Sequence, residues 1–312
     1  MRVLDTIDEQ QLGELAERKE FYWLDLVEPD ERDLRRLAER FGWHPLALED
    51  TLHFGQRPKL DRYGDHMLLV FYGARTDGDG HPAMIEAHVL VSGDRVVTVR
   101  REPCTELDEL RTRLRAETAE SEEFVVYRVL DALTDTFFPV LEAIDDAIDE
   151  LEDAIVLAPD DAQLQRLFQL KRSLVTLRRI VTPQRDLAAR TIEEIAELPG
   201  LDPGTRDYFR DVYDHLIRVS DMVDSYRDLL TGAMDVYLST VSNRLNSVMK
   251  QLTIVATIFL PITALTGFFG QNFGWLVRHV DTLWAFLLFG VGGALAAILL
   301  LVGWFRRARL LG

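Results

Sequence analysis

Cysteine is almost missing from this chain. Cys104 stands alone, which excludes an intrachain disulfide and a Cys-rich metal cluster and suits a domain kept in a reducing compartment. No glycine-rich phosphate loop, no His/Cys ligand spacing and no nucleophile–base arrangement stands out, and the seven histidines are scattered. His215, alone on its long helical segment, is expected to be a packed or solvated side chain. An enzyme is therefore not expected. An apolar leader is missing as well: Asp5, Asp8, Glu9, Glu14, Glu17 and Arg18 charge the first 20 residues throughout, so no signal peptide is expected. Positive charge is scarce. Lys and Arg number 35 against 52 Asp and Glu, a net charge of −17. Beyond Gln251 there are four arginines and one aspartate, +3, which leaves −20 on the remainder. A nucleic-acid partner needs a basic footprint and is excluded. An acidic surface serves solubility, or it concentrates and senses cations where its carboxylates are placed together.

What the chain does have is two apolar runs within its last 61 residues, Leu252–Phe269 and Leu283–Phe305, neither with an ionisable side chain. At about 1.5 Å per residue each is long enough to cross a roughly 30 Å hydrocarbon core. The tether between them begins Gly270-Gln271-Asn272-Phe273, which puts the two amides at the membrane surface. Arg244 and Lys250 precede the first run and Arg306, Arg307 and Arg309 follow the second, whereas the loop has Arg278 against Asp281. The positive-inside bias then predicts cytoplasmic termini and an outer Gly270–Asp281 loop in a multi-pass protein of the cytoplasmic (inner) membrane.

Residues 1–120 alternate short strand-like and helix-like runs. Phe21–Leu26 reads as a strand, and Asp30–Phe41 as a helix with Asp30 as N-cap. His66–Ala74, Met84–Ser92 and Arg95–Arg100 read as strands joined by turns at Asp77-Gly78-Asp79-Gly80 and Ser92-Gly93-Asp94. This is an α/β domain. From about Ser121 the pattern is helical only: Glu123–Val156 and Asp161–Leu198 form an acidic hairpin over residues 121–200, with Pro159 as breaker and Pro139 expected to bend its first arm. After Pro199-Gly200-Leu201-Asp202-Pro203, proline is absent until Pro261, and Gly232 is the only glycine between Gly204 and Gly267. One helix from about Thr205 to Phe269 is predicted, on the order of 100 Å long. Its positions Val212, Leu216, Val219, Val223, Tyr226 and Leu230 alternate steps of four and three, a stripe that wants partners. The segments are thus 1–120, 121–200, a stalk helix running into the first span at 201–272, an outer loop at 273–282, a second span at 283–305 and a basic tail at 306–312.

Two patterns on the long helix bear on function. Asp207, Asp211, Asp214, Asp221, Asp224, Asp228 and Asp235 form one acidic stripe. It is either a solvated face, offset by Arg206, Arg210, Arg218 and Arg227, or a set of oxygen ligands through which adjacent subunits share divalent cations. Farther on, Asn246, Met249, Leu252, Ala256, Leu260 and Thr263 recur at threes and fours. This face suits a pore with an apolar constriction that gates by dewetting, and equally suits ordinary helix packing. Two spans cannot enclose a water-filled path, so a conducting form must oligomerise about this helix.

At Gly270-Gln271-Asn272 the chain resembles the CorA family of divalent-cation channels and transporters, whose signature is Gly-Met-Asn. The resemblance extends through Tyr208–His215, Asp235–Ser239, Asn246–Lys250, Thr257–Pro261, His44–Asp50 and Gln56-Arg57-Pro58-Lys59. It implies a funnel-shaped homopentamer: an α/β cytoplasmic domain, a helical hairpin, a long stalk helix lining the pore and a second span outside it. It further implies influx of Mg²⁺, with Co²⁺ or Ni²⁺ tolerated, and no organic cofactor. Asn272, with Gly270 and Gln271, would ring the outer mouth, and Asn246, Met249, Leu252, Ala256, Leu260 and Thr263 would line the path. Asp50 and Asp211 would face each other across subunits as a regulatory divalent site. Gln271 departs from the usual methionine, as also happens in the zinc-transporting ZntB branch. The rival expectations are a ZntB-like Zn²⁺ transporter and a non-conducting, membrane-anchored signalling or scaffold oligomer.

Overall fold

The computed structural model of the protein describes residues 1–78, 80–116, 122–195, 206–271, 273–279 and 282–307. Asp79 of the first expected turn, the transition at Ser121, Leu198, the Pro199–Pro203 break, Thr205, Asn272, Asp281 and Arg309 lie outside them. The chain divides into two compact units, Met1–Met234 and Asp235–Gly312.

The first unit contains β1 (Arg2–Leu4), α1 (Glu9–Arg18), β2 (Tyr22–Val27), α2 (Glu31–Phe41), α3 (Pro45–Leu52), β3 (Lys59–Tyr63), β4 (His66–Thr76), β5 (Pro82–Val91), β6 (Arg95–Arg100) and α4 (Thr105–Ala116). Helices α5 (Glu122–Asp135), α6 (Phe137–Leu157) and α7 (Asp161–Ile195) follow, and then α8 (Arg206–Phe269), which runs on into the second unit. The strands form one sheet in the order β1-β2-β6-β5-β4-β3, with β1, β2 and β6 parallel and the rest antiparallel. The first nine residues of β4 are all buried. Successive strand residues point to opposite faces, so both faces of the sheet are covered. On one face Met67, Leu69 and Phe71 of β4 join Leu107 of α4, Leu133 of α5 and Leu216 of α8 in a single core.

The expected antiparallel strand pairs are present, and Gly93 (φ +69°) supplies the left-handed residue of the turn between β5 and β6. Five elements of this unit were not read from the sequence: β1, α1, α3, β3 and α4. The first arm of the helical hairpin breaks at Thr136, one turn before Pro139, where the proline offers the Asp135 carbonyl no amide and its ring crowds it; Pro139 itself sits in the first turn of α6. Thr136 has another use. Its Oγ1 donates to the Leu133 carbonyl at 2.6 Å and accepts from the Ala74 amide at 2.7 Å. This locks the end of α5 onto β4, and Gly73 makes room for it: a Cβ there would lie 2.6 Å from the same oxygen.

Beside that lock, β4 outruns its neighbour, since pairing with β3 ends at Lys59↔Val70. The next outward amide and carbonyl, both of Tyr72, are taken by the side chain of Gln184 on α7, at 2.7 and 2.9 Å. A buried glutamine thus continues the strand edge and satisfies two backbone groups that would otherwise be orphaned.

The apolar stripe of α8 finds its partners within the unit. Val212, Leu216, Val219, Val223, Tyr226 and Leu230 are all buried. At about 1.5–3 kcal/mol for each large aliphatic side chain removed from water, this stripe alone fastens the start of α8.

The second unit comprises the remainder of α8, a short helix α9 (Gly274–His279) in the loop between the apolar helices, and α10 (Leu283–Arg307). Segments Arg206–Phe269 and Leu283–Arg307 both contain stretches long and apolar enough to cross a membrane. Thr253, Thr257, Thr263 and Thr266 each donate to the carbonyl four residues back, at 2.7 to 2.9 Å. Every one of these hydroxyls is therefore paired before any lipid covers the helix. Residues Phe286–Gly292 of α10 wind as π turns.

Candidate functional site

Four acidic or imidazole side chains converge where α5 meets α8. Asp131 and Asp135 lie one turn apart on α5, and Asp211 and His215 one turn apart on α8. The helices are held together by the core through Leu133, Val212 and Leu216, and Phe138 sets its ring edge against His215 at 6.1 Å. His215 Nδ1 is 3.5 Å from Asp131 Oδ1 and 3.9 Å from Asp135 Oδ1, and Nε2 is 3.8 Å from Asp211 Oδ1. These separations are too long for hydrogen bonds. The ligand atoms of Asp131, Asp135 and His215 all lie within 4.8 Å of one another, close enough to share one cation. Both Asp131 Oδ1 and His215 Nδ1 are buried without a hydrogen-bond partner, which is costly unless something between them supplies charge.

The electrostatics agree. Burial, then the charge of Asp135, raises the pKa of Asp131 in spite of His215. Burial likewise raises Asp135, opposed by His215 and reinforced by Asp211. Tyr127 donates its hydroxyl to Asp211 Oδ2 at 3.3 Å, and burial with the charges of Asp131 and Asp211 pushes it up to about 12. A cavity of about 180 Å³ adjoins, lined by Glu106, Glu109, Arg113, Arg128, Asp131 and Asp135 among others. Oxygen ligands with one imidazole, half-desolvated and short of positive charge, are a donor set for a divalent cation. The sequence singled out Asp211 but passed over Asp131 and Asp135, and His215 was expected to be merely packed or solvated. The i,i+4 spacing of Asp131 and Asp135 was the signal available.

Asp50 lies on α3, half-buried, with different partners. Its Oδ2 accepts from Lys59 Nζ at 2.5 Å and its Oδ1 from Gln56 Nε2 at 3.0 Å. Asp50 and Asp211 thus meet separate groups within one subunit.

On α8, Asn246, Met249, Leu252, Ala256, Leu260 and Thr263 are all exposed in the single chain, leaving this face free for other copies, lipid or water. The helix ends at the tripeptide: the Gly270 amide donates to Thr266 O at 2.9 Å and that of Gln271 to Phe268 O at 3.3 Å. Asn272 lies outside the described residues. Beside this end, Leu265, Phe269, Phe286, Gly290 and Ala294 help line an apolar groove of about 720 Å³ within the second unit.

Comparison with known proteins agrees with the resemblance read from the sequence. The family model described as CorA-like Mg²⁺ transporter protein matches residues 18–307. The cobalt/magnesium transport protein CorA of Thermotoga maritima is 36% identical over 89% of this chain and 80% of its own length. The zinc transport protein ZntB of Yersinia enterocolitica is more distant, 28% identical over 72% of this chain and 69% of its own. Among solved structures, the CorA magnesium transporter from Methanocaldococcus jannaschii superposes with a TM-score of 0.81 at 23% identity, covering 91% of this chain and 90% of that one. The α/β unit, the long helix and the paired apolar helices are thus the architecture of that fold. The chain belongs to the family of CorA-like Mg²⁺ transporter proteins, a family of membrane transporters and not of enzymes.

Proposed function

We propose that this protein carries Mg²⁺, with Co²⁺ tolerated, across the cytoplasmic membrane into the cell. It works as a homopentamer about α8, with both termini in the cytoplasm. Gly270, Gln271 and Asn272 form the outer filter, holding a hydrated ion through neutral amide oxygens. Asn246, Met249, Leu252, Ala256, Leu260 and Thr263 line the path, with Met249 and Leu252 as the apolar belt that dewets to close it. Divalent cations on the cytoplasmic side hold the closed form, bound at the Asp131–Asp135–His215 cluster with Asp211, and at Asp50 against Asp211 of a neighbour. The observation that carries this reading is α8 itself: one 64-residue helix bears Asp211 and His215 of the cluster near its start and the exposed Asn246–Thr263 face farther along.

Proteoliposomes test it. The expected result is Mg²⁺ influx that speeds up with an inside-negative potential and is inhibited by Co²⁺. Zn²⁺ uptake that requires a proton gradient would favour the ZntB-like mechanism, and no flux at all the scaffold.

The cluster makes a separate, pH-dependent prediction. Asp131 and Asp135 have folded pKa values above the ordinary 3.8. Their ionisation therefore opposes folding: the penalty is absent below the unfolded value and complete once pH has passed the folded values. A bound cation removes it. The gain in Tm between chelator and millimolar Mg²⁺ is expected to be larger at pH 7.5 than at pH 4.5. The double variant D131N/D135N is expected to be more stable than wild type in chelator at pH 7.5 and to lose most of the Mg²⁺ increment. An unchanged increment in that variant would remove the cluster from the sensing role.

A further inference from the structure

Lys59 occupies the place at Asp50 that a divalent cation would need. It closes the Gln56-Arg57-Pro58-Lys59 run, which the transport path does not use. Its Nζ lies 2.5 Å from Asp50 Oδ2 and 2.9 Å from Asp61 Oδ2, bridging two carboxylates as a small cation does. The other oxygen of Asp50 is also engaged, accepting from Gln56 Nε2 at 3.0 Å. That amide further contacts the carbonyls of Asp50 and His53, both at 2.9 Å.

This arrangement is held by the sheet. Lys59 is the first residue of β3 and pairs with Val70. Gln56 is anchored through its main chain: its amide donates to Glu86 Oε1 at 3.2 Å, and its carbonyl accepts from the Tyr72 hydroxyl. The Gly55 amide donates to the other Glu86 oxygen at 2.5 Å, and His88 Nε2 stands 2.8 Å from Oε1. Burial works against the Glu86 carboxylate, yet the hydrogen bonds from His88, Gly55 and Gln56 hold its pKa below the ordinary value, so the anchor stays charged at neutral pH. The ammonium and the amide are consequently presented to Asp50 by fixed backbone, not by a long side chain searching the surface.

We propose that Lys59 is a built-in competitor for the cation at Asp50, and that it sets the cytoplasmic Mg²⁺ concentration at which the transporter closes. This rests on the reading of Asp50 as a regulatory ligand. An ammonium is a compact point charge that supplies one unit of positive charge without leaving the chain. Mg²⁺ must displace it from Asp50 or bind beside it against repulsion, and either lowers the affinity of the site. With Lys59 in place the local charge of Asp50, Asp61 and Lys59 is −1; without it the charge is −2. A ligand shifts the closing equilibrium only through its preference for the closed state, so a weaker site means a higher closing threshold.

The test is the Mg²⁺ midpoint for protection of the full-length, detergent-solubilised protein against limited proteolysis. For K59M, which keeps the aliphatic stem, the midpoint is expected to fall about two- to fivefold, the range for loss of one part-exposed ion-pair partner. K59R, which keeps the charge, should stay near wild type. In a D50N background K59M should produce no further shift, whereas a purely structural role for Lys59 would persist there. Should K59M not run as the wild-type oligomer on size exclusion, K59Q is expected to give the same fall. A K59M midpoint equal to or above wild type, with D50N still shifted, overturns the competitor role and leaves the Asp50 reading standing. A wild-type midpoint in D50N overturns that reading, and the competitor role with it.

Discussion

Asn272→Ala is expected to bring Mg²⁺ influx to background while leaving the oligomer intact on size exclusion. The long helix ends at the Gly270 and Gln271 amides, which still bond back to Thr266 and Phe268, and Asn272 of the proposed filter follows directly in the sequence. A cation entering there keeps most of its water, because Mg²⁺ dehydrates reluctantly. A ring of neutral amide oxygens can accept hydrogen bonds from that hydration shell without binding the ion too tightly for release. Alanine deletes the Asn272 acceptor from every subunit at once and lies outside the stripe that fastens α8, where Leu216 and Val219 are fully buried. Uptake and assembly should therefore come apart. Ordinary Mg²⁺ flux through the alanine variant would dismiss the filter assignment. Gln271→Met is the companion measurement: unchanged relative Mg²⁺, Co²⁺ and Zn²⁺ fluxes would clear Gln271 of any part in selectivity.

Much of this layout could be read from sequence because its signals are local. The absence of proline between Pro203 and Pro261 marks out α8, observed from Arg206 to Phe269. The two uncharged runs mark the spanning segments, and Gly93 marks a hairpin turn. What escaped depends on contacts distant in sequence. β3 reads Lys-Leu-Asp-Arg-Tyr and shows little apolar patterning, since as an edge strand it packs on one side only. Pro139 marks the break at Thr136, but the lock of Thr136 onto Ala74 and Gly73, some 60 residues earlier, has no local signal. The carboxylate–histidine cluster was half visible: Asp211 lay on a stripe, but Asp131 and Asp135 gain meaning only when α5 packs against α8. His215 illustrates the limit, because nothing in its flanking residues distinguishes a solvated imidazole from one facing three carboxylates.

The largest effect on stability is expected at Asp25, in the sheet of the first unit. Asp25 and Arg100 are both wholly buried, on neighbouring strands β2 and β6. Arg100 Nη2 reaches Asp25 Oδ2 at 3.1 Å and Asp108 Oδ1 at 2.7 Å, and Arg111 Nη1 approaches Asp25 Oδ2 at 3.2 Å. Thr98 donates to Asp25 Oδ1 at 2.6 Å and accepts from the Trp23 indole at 3.1 Å. Burial opposes the charge on Arg100, but Asp25 and then Asp108 hold its pKa up, so the guanidinium remains a cation in the core. Asp25→Ala strands that cation with Asp108, which is partly exposed, as its one remaining carboxylate. Breaking a buried pair from one side typically costs about 3–5 kcal/mol. At roughly 2–4 °C per kcal/mol for a unit of this size, Tm should fall by about 10 °C. Asp108→Ala, which leaves Asp25 in place, should cost much less. The double replacement D25L/R100M should recover part of the loss, because two apolar side chains bring no unpaired charge into the core. Mg²⁺ flux per folded oligomer should be unaltered in all three. A Tm for Asp25→Ala within 2 °C of wild type would mean that water reaches Arg100 as soon as its partner is removed, and that the network orders the sheet without carrying its stability.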